Sequence, residues 1–182
     1  MIVWVNGPFG GGKSTLVAEL SALWPRALVF DPESVGFVLR EIVEVPTGDF
    51  QDLAVWRRSV VDLALRLVEE YERPLLVPMT LVRPAYLAEI HGALRAAGHE
   101  VRHVFLRVPA EVLRARIDAQ SFTPDDPARD ARVRAWRKGR IADCEAAVPL
   151  LPADTVLWDG QLPPGESARR LLAELGVPGV RP

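Results

Sequence analysis

The residues best suited to chemistry lie near the start of the chain, in the segment NGPFGGGKST, residues 6–15. Gly7, Gly12, Lys13 and Ser14 match the pattern Gly-x-x-x-x-Gly-Lys-Ser, with an apolar run before it and a helical pattern after it. In this context, backbone N–H groups and a helix N-terminus surround phosphate oxygens, and the lysine reaches the β- and γ-phosphates. The serine hydroxyl is a ligand of Mg²⁺ in such loops. We therefore predict a site for ATP and Mg²⁺. The predicted nucleotide-binding residues are Gly7, Pro8, Phe9, Gly10, Gly11, Gly12, Lys13, Ser14 and Thr15.

A carboxylate, Asp31, directly follows the second apolar run, ALVF, residues 27–30. Ligands of open α/β sheets bind at the carboxyl ends of the strands, so we expect Asp31 to face the γ-phosphate. There it would accept a proton from an acceptor hydroxyl, or hold Mg²⁺ together with Ser14. An alternative is that Asp31 caps a helix that begins two or three residues later, and the two roles are compatible. The third apolar run, PLLVPMT, carries no acid, and Asp159 lies late in the chain.

The segment RDARVRAWRKGR, residues 129–140, is rich in arginine and lysine. On a mobile lid over about residues 120–140, arginines would close over a triphosphate and neutralise the charge that develops during transfer. We predict this role for Arg137 and for Arg116, and Lys13 would assist from the phosphate loop. The alternative is a solvated cationic helix face. The prolines and aspartates of SFTPDDPARD, residues 121–130, predict a loop. One helix is then expected to carry the apolar stripe Val133, Trp136, Ile141 and Cys144.

Short β-branched runs alternate with longer helical patterns, which predicts an α/β fold with a mainly parallel sheet. The predicted strands cover residues 2–5, 27–30, 75–78, 101–108 and 155–158. Helices are predicted over about 13–23, 52–70 and 165–175, with two more opened by Pro84 and Pro109. Within the helix over 52–70, the spacing predicts a buried stripe of Leu53, Trp56, Val60, Leu63 and Leu67, and outer pairs among Arg58, Asp62 and Arg66.

Composition limits the class of protein. The chain has 182 residues, of which 49% are hydrophobic, which predicts a single domain over residues 1–182. A net charge of −2 argues against a nucleic-acid partner. The single cysteine, Cys144, fits a reducing cytoplasm, and no run reaches the roughly 18 apolar residues of a membrane span. We expect the three histidines to be structural and the tail GVPGVRP to fray. The sequence does not determine the oligomeric state, and a homodimer is one alternative.

The order of these parts resembles the small-molecule kinases of the P-loop class, and chloramphenicol phosphotransferase and gluconate kinase are similar in layout. This resemblance implies a three-layer α/β/α fold of the nucleoside/nucleotide kinase type, with five parallel strands in the order 2-3-1-4-5. The blocks IVWVNGPFGGGKS, DPESVGFVLR, DFQDLAVWR and LLVPMTLVRPAYLAEI resemble, in that order, the bacterial tunicamycin-resistance ATP-binding protein family. WRKGRIADC is a fainter match.

The family resemblance implies ATP binding and protection against tunicamycin, a lipid-bearing uridine nucleoside antibiotic. The residues that the matched blocks place in an acceptor cleft are Arg40, Arg57, Met79, Thr80 and Arg83. Arg57 and Arg83 would suit an anionic group, Met79 and Phe9 would meet apolar or uracil parts, and Trp56 fits the core better. Three functions stay open: phosphorylation of a drug hydroxyl, ATP-dependent sequestration of the drug, and a metabolic small-molecule kinase. A regulatory GTPase is disfavoured because the chain has no Asn-Lys-x-Asp motif.

Overall fold

Five parallel strands form one sheet in the computed structural model, which describes residues 1–177. The strands are β1 (Ile2–Asn6), β2 (Leu28–Val29), β3 (Leu75–Pro78), β4 (Val101–Arg107) and β5 (Val156–Asp159). Their order is β2-β3-β1-β4-β5, which confirms the order that the kinase resemblance implied. In the register, Val3 of β1 lies between Leu76 of β3 and Arg102 of β4. The phosphate loop therefore leaves the central strand at the carboxyl edge of the sheet. The last five residues of the tail that was predicted to fray lie outside the described part of the chain.

Eight α-helices occur within residues 1–177. They are α1 (Lys13–Leu23), α2 (Pro32–Ile42), α3 (Ala54–Tyr71), α4 (Pro84–Ala96), α5 (Ala110–Asp118), α6 (Pro127–Gly139), α7 (Ile141–Ala147) and α8 (Pro164–Glu174). Proline at the first helical position opens α2, α4, α6 and α8, where its missing N–H costs nothing.

The predicted lid differs from the structure in two ways. First, α6 begins inside the segment that was predicted to be a loop, because Asp126 accepts a hydrogen bond from the N–H of Arg129 and Pro127 follows it. Second, the helix breaks at Arg140, so Ile141 and Cys144 belong to α7 rather than to one continuous stripe. The N–H of Arg140 bonds instead to the carbonyls of Arg137 and Lys138, a tight turn that redirects the chain.

Two apolar clusters cover the two faces of the sheet. Along β1, Ile2 and Trp4 pack on the side of α3 and α4, while Val3 and Val5 pack on the side of α1 and α8. All four side chains are fully buried, as expected for a central parallel strand. This packing holds β1, and therefore the loop that follows it, in a fixed position.

The buried stripe of α3 is shifted from the prediction. Trp56 and Val60 are buried as predicted, but Ala64 takes the next core position and Leu63 is 42% exposed. On the outer face Arg66 pairs with Glu69, not with Asp62. Trp56 is a core residue, and its indole N–H donates to the carbonyl of Pro32 at 3.1 Å, which ties α3 to the start of α2.

Candidate active site

The phosphate loop has the backbone conformation that its glycines permit. Gly10 and Gly12 have φ of +75° and +91°, in the left-handed region that side chains with a Cβ rarely adopt. Gly12 is also the residue that precedes the first turn of α1, so the free N–H groups of that turn point into the loop. The Lys13 ammonium folds back across the loop and donates to the carbonyl oxygens of Gly7 at 3.0 Å and Pro8 at 2.9 Å.

A buried polar network anchors the loop from below. Asn6, at the end of β1, accepts hydrogen bonds from the N–H of Gly7 at 2.7 Å and of Leu81 at 2.9 Å, and donates to the Leu81 carbonyl. The Thr80 hydroxyl donates to the carbonyl of Gly7 at 2.7 Å. Sequence reasoning missed Asn6, although an amide in an otherwise apolar strand next to the motif was a usable signal. The network fixes the loop to the end of β3.

A cleft of about 600 Å³ opens above the loop, and we call it the nucleotide cleft. It brings together the four residues predicted to be catalytic and most of the predicted loop. The predicted residues that line it are Phe9, Gly10, Gly11, Gly12, Lys13, Ser14, Thr15, Asp31, Arg116 and Arg137. Gly7 and Pro8 lie beneath this surface and contribute carbonyl oxygens to Lys13.

Asp31 takes the capping position and also lines the cleft. One carboxylate oxygen accepts a hydrogen bond from the N–H of Glu33 at 2.9 Å, at the N-terminus of α2. The second carboxylate, Glu33, was missed from the sequence, and it lines the same cleft. Burial raises the pKa of the Glu33 carboxyl, and the neighbouring Asp31 raises it further. Burial also lowers the pKa of the Lys13 ammonium to about 8.

The chemistry of these side chains fits Mg²⁺, which prefers oxygen ligands and keeps several waters when it is bound with a nucleotide. The cleft offers the Ser14 hydroxyl at the start of α1 and the carboxylates of Asp31 and Glu33 at the N-terminus of α2. No group of three or more His, Cys, Asp and Glu side chains arranged for a metal ion occurs within the described range 1–177. Because they line the cleft beside the phosphate loop, the three oxygen donors Ser14, Asp31 and Glu33 are the candidates to hold Mg²⁺.

Two arginines connect the helices after β4 to the loop. Arg116, on α5, donates to the carbonyl oxygens of Gly10 at 3.3 Å and Gly160 at 3.2 Å. The guanidinium of Arg137, on α6, lies 5.0 Å from the ring centroid of Phe9 and 3.8 Å from that of Phe122. Both guanidiniums line the nucleotide cleft.

The predicted acceptor residues separate into two groups. Thr80 and Arg83 line a second cavity of about 340 Å³, which we call the lid cavity. Met79 is only 2% exposed and packs in the core, since residues at alternate positions of β3 and its extension face the same way. Arg40 donates to the carbonyl of Gly48 at 2.8 Å, and Arg57 forms an ion pair with Glu89 at 2.6 Å. The side chains of Met79, Arg40 and Arg57 line neither the nucleotide cleft nor the lid cavity.

A third cavity, of about 690 Å³, lies beside the ends of β4 and β5 under α7. Pro8 is the one predicted site residue that lines it.

No helix within residues 1–177 is both long enough and apolar enough to cross a membrane.

The fold and the loop together define a P-loop protein with a kinase-like α/β/α architecture. Residues 2–141 match the family model described as AAA domain, and the chain belongs to that family. No curated protein matches the chain.

Over its whole length the chain is similar to the tunicamycin resistance protein of Deinococcus radiodurans, with a TM-score of 0.70, 25% identity, and coverage of 100% of this chain and 98% of that chain. This similarity confirms the resemblance seen in the sequence blocks.

Two kinase structures share the fold. A gluconokinase from Sinorhizobium meliloti 1021 has a TM-score of 0.63 and 17% identity, over 96% of this chain and 90% of that chain. An APS kinase from Mycobacterium tuberculosis, in complex with AMPPNP and APS, has a TM-score of 0.64 and 18% identity, over 96% of both chains.

Proposed function

We propose that the protein is an ATP-dependent phosphotransferase that moves the γ-phosphate to a hydroxyl of tunicamycin or a related nucleoside-type small molecule. One observation carries the proposal: a single cleft collects the phosphate-loop lysine, two carboxylates at the N-terminus of α2 and two arginines from α5 and α6. That set supplies what phosphoryl transfer needs, namely phosphate binding, a proton acceptor and positive charge. Similarity to a tunicamycin resistance protein and a fold shared with kinases support this reading.

Each residue then has a defined role. Backbone N–H groups of the loop and Lys13 would hold the β- and γ-phosphates. Ser14 with Asp31 would hold Mg²⁺, which would neutralise part of the phosphate charge. The Asp31 oxygen that is free of the cap accepts the proton of the acceptor hydroxyl as that oxygen attacks the γ-phosphorus in line. Arg116 and Arg137 stabilise the charge on the transferring group. ADP and a phosphate monoester are the products.

We propose a cytoplasmic location, because the reaction uses ATP and Cys144 is a free, buried thiol. A nucleic-acid partner and membrane insertion are not part of the proposal.

A second candidate function is ATP-dependent sequestration of the drug without transfer. The observation in its favour is the hydrogen bond from the Glu33 N–H to Asp31, which gives that carboxylate a structural role. A metabolic kinase with a different small acceptor would use the same residues in the same roles.

Mass spectrometry of tunicamycin incubated with the protein, Mg²⁺ and ATP tests these alternatives. A mass gain of one phosphate that is absent with Lys13→Ala supports the phosphotransferase and allows the hydroxyl to be located. Unmodified drug together with measurable drug binding would establish sequestration instead. If the drug is neither bound nor modified, the acceptor is another compound, and a panel of sugars and nucleosides becomes the next assay.

A further inference from the structure

The Asn6 amide that anchors the phosphate loop is held in one orientation by backbone groups. Its oxygen accepts hydrogen bonds from the N–H groups of Gly7 at 2.7 Å and Leu81 at 2.9 Å, and a backbone N–H can only donate. The amide nitrogen therefore takes the other position, where it donates to the carbonyl oxygen of Leu81 at 2.6 Å. The remaining contact of this nitrogen is with Nε2 of His103, 3.1 Å away.

This orientation decides which nitrogen of the His103 ring carries the proton. The amide nitrogen of Asn6 is a donor only, so Nε2 of His103 is the acceptor. In a neutral imidazole the proton then lies on Nδ1, which is 2.9 Å from the hydroxyl oxygen of Thr155 and donates to it. Burial lowers the pKa of His103 from 6.5 to about 4, so the ring is neutral at pH 7.5. The Nδ1–H tautomer thus satisfies both ring nitrogens.

The hydrogen bonds that start at His103 lead through Asn6 to the phosphate-binding lysine. The peptide groups of Gly7 are held on both sides, because its N–H donates to Asn6 and its carbonyl accepts from the Thr80 hydroxyl at 2.7 Å. The same carbonyl accepts the ammonium of Lys13 at 3.0 Å. Asn6 is fully buried and His103 is 1% exposed, so solvent water does not compete for the contact between them.

We propose that His103, as its neutral Nδ1–H tautomer, is a positioning residue for nucleotide binding, because it fixes the Asn6 amide that holds Gly7 of the phosphate loop. The inference rests on the proposed ATP-dependent function and adds to it a residue that contacts no ligand. Loss of the Nε2 acceptor would leave a buried N–H of Asn6 without a partner, and the amide would gain freedom to turn away from Gly7. One of the three histidines that were predicted to be structural then acts on the nucleotide site.

Two amide variants separate this role from a general role in packing. In His103→Gln the side-chain oxygen is three bonds from Cβ, as Nε2 is in histidine, so it can still accept from Asn6. In His103→Asn the oxygen is two bonds from Cβ, as Nδ1 is, and lies on the side of Thr155. Calorimetry with AMPPNP and Mg²⁺ at pH 7.5 measures the affinity, after urea unfolding has established that each variant is folded. We expect His103→Asn to weaken AMPPNP binding about five- to tenfold, and His103→Gln to stay within about twofold of the unaltered protein.

A core variant controls for loss of stability. Leu94→Ala, a change of a fully buried side chain on α4, should lower the free energy of unfolding and leave the AMPPNP affinity of the folded protein unchanged.

The tautomer is measured on the unaltered protein, so this test does not depend on the folding of any variant. ¹⁵N NMR at pH 7.5, with the ring resonances assigned through the backbone of His103, should show a protonated Nδ1 and an unprotonated Nε2. The proposal is overturned if Nε2 carries the proton, if His103→Asn binds AMPPNP as tightly as the unaltered protein, or if His103→Gln binds it as weakly as His103→Asn. An unaltered protein that binds no AMPPNP would refute the phosphotransferase function itself, and this inference with it.

Discussion

The buried histidine pair predicts that the protein loses stability in mild acid. His91, on α4, is 1% exposed, and neither of its ring nitrogens has a hydrogen-bond partner among residues 1–177. Its ring contacts Trp4 and His103, with centroid distances of 5.0 Å and 5.1 Å. Burial lowers the pKa of His91 from its ordinary 6.5 to about 3, and that of His103 to about 4. Both imidazoles therefore stay neutral in the folded protein at pH 5.

The size of the effect follows from the two protonation equilibria. In the unfolded chain a histidine binds a proton as the pH falls through about 6.5, whereas the folded protein binds none until near pH 4. Stability is therefore fully present above pH 6.5 and is lost as the pH falls below it. Between pH 7.5 and pH 5 each histidine costs about 2 kcal/mol, or about 4 kcal/mol together. This is a large part of the roughly 5–15 kcal/mol that usually separates folded and unfolded states.

Urea unfolding at pH 7.5 and pH 5 measures this loss directly. Removing one of the two groups with His91→Phe should reduce the difference between the two pH values to about 2 kcal/mol, whatever it does to stability at pH 7.5. Leu94→Ala, a core change on the same helix, should lower stability by a similar amount at both pH values and leave the difference intact. A His91→Phe variant that keeps the full wild-type difference between pH 7.5 and pH 5 would refute the reasoning.

Three further predictions concern the site and the packing around it. Asp31→Asn should lower the turnover number about 10²–10⁴-fold while ATP binding is retained, as measured by product formation and by calorimetry. ATP affinity should weaken as the pH rises through about 8, because Lys13 then loses its proton, and Lys13→Arg should remove this transition. Gly36→Ala should lower the free energy of unfolding by about 1–3 kcal/mol, since its added Cβ would lie 2.5 Å from the Phe50 ring. Gly92→Ala has open space and should raise it by up to about 1 kcal/mol.

Each of these has a result that would count against it. Full activity of Asp31→Asn would show that the Asp31 carboxylate does not accept the proton and serves only as the cap of α2. An ATP affinity that does not change between pH 7 and pH 9 would mean that Lys13 keeps its proton throughout that range. Equal stability of the two alanine variants would show that the helix with Gly36 can move away from Phe50 at little cost.

The positions of the strands and of the phosphate loop could be predicted from the sequence, because local residue patterns determine them. The uninterrupted apolar runs predicted strands buried on both faces, and a glycine-rich motif between a strand and a helix predicted the loop. The strand order was not contained in those patterns and came from the kinase resemblance. The position of Met79 was predictable, since it continues the alternation of Leu75 and Val77 toward the core. A substrate role was given to it only because it belongs to a matched block.

The pairing of arginines was beyond sequence reasoning. Arg83 and its partner Asp52 are 31 residues apart, and Arg57 and Glu89 are 32 apart, so only the docking of α3 against α4 brings them together. A matched sequence block indicates that these residues are shared with a family, but it does not indicate whether they contact a ligand or each other. Glu33 was missed for a related reason: its importance depends on burial in a cleft that two other elements complete.

The hydrogen bonds of Lys13 have a consequence for the strength of nucleotide binding. Its ammonium donates to two backbone carbonyl oxygens of the loop, and each of these hydrogen bonds contributes about 1 kcal/mol net. A triphosphate that binds the ammonium would replace these hydrogen bonds, so part of its electrostatic gain would be offset. In the phosphotransferase proposed above, the same carbonyl oxygens would compete with ADP for the lysine, which would favour exchange of ADP for ATP over tight retention of either.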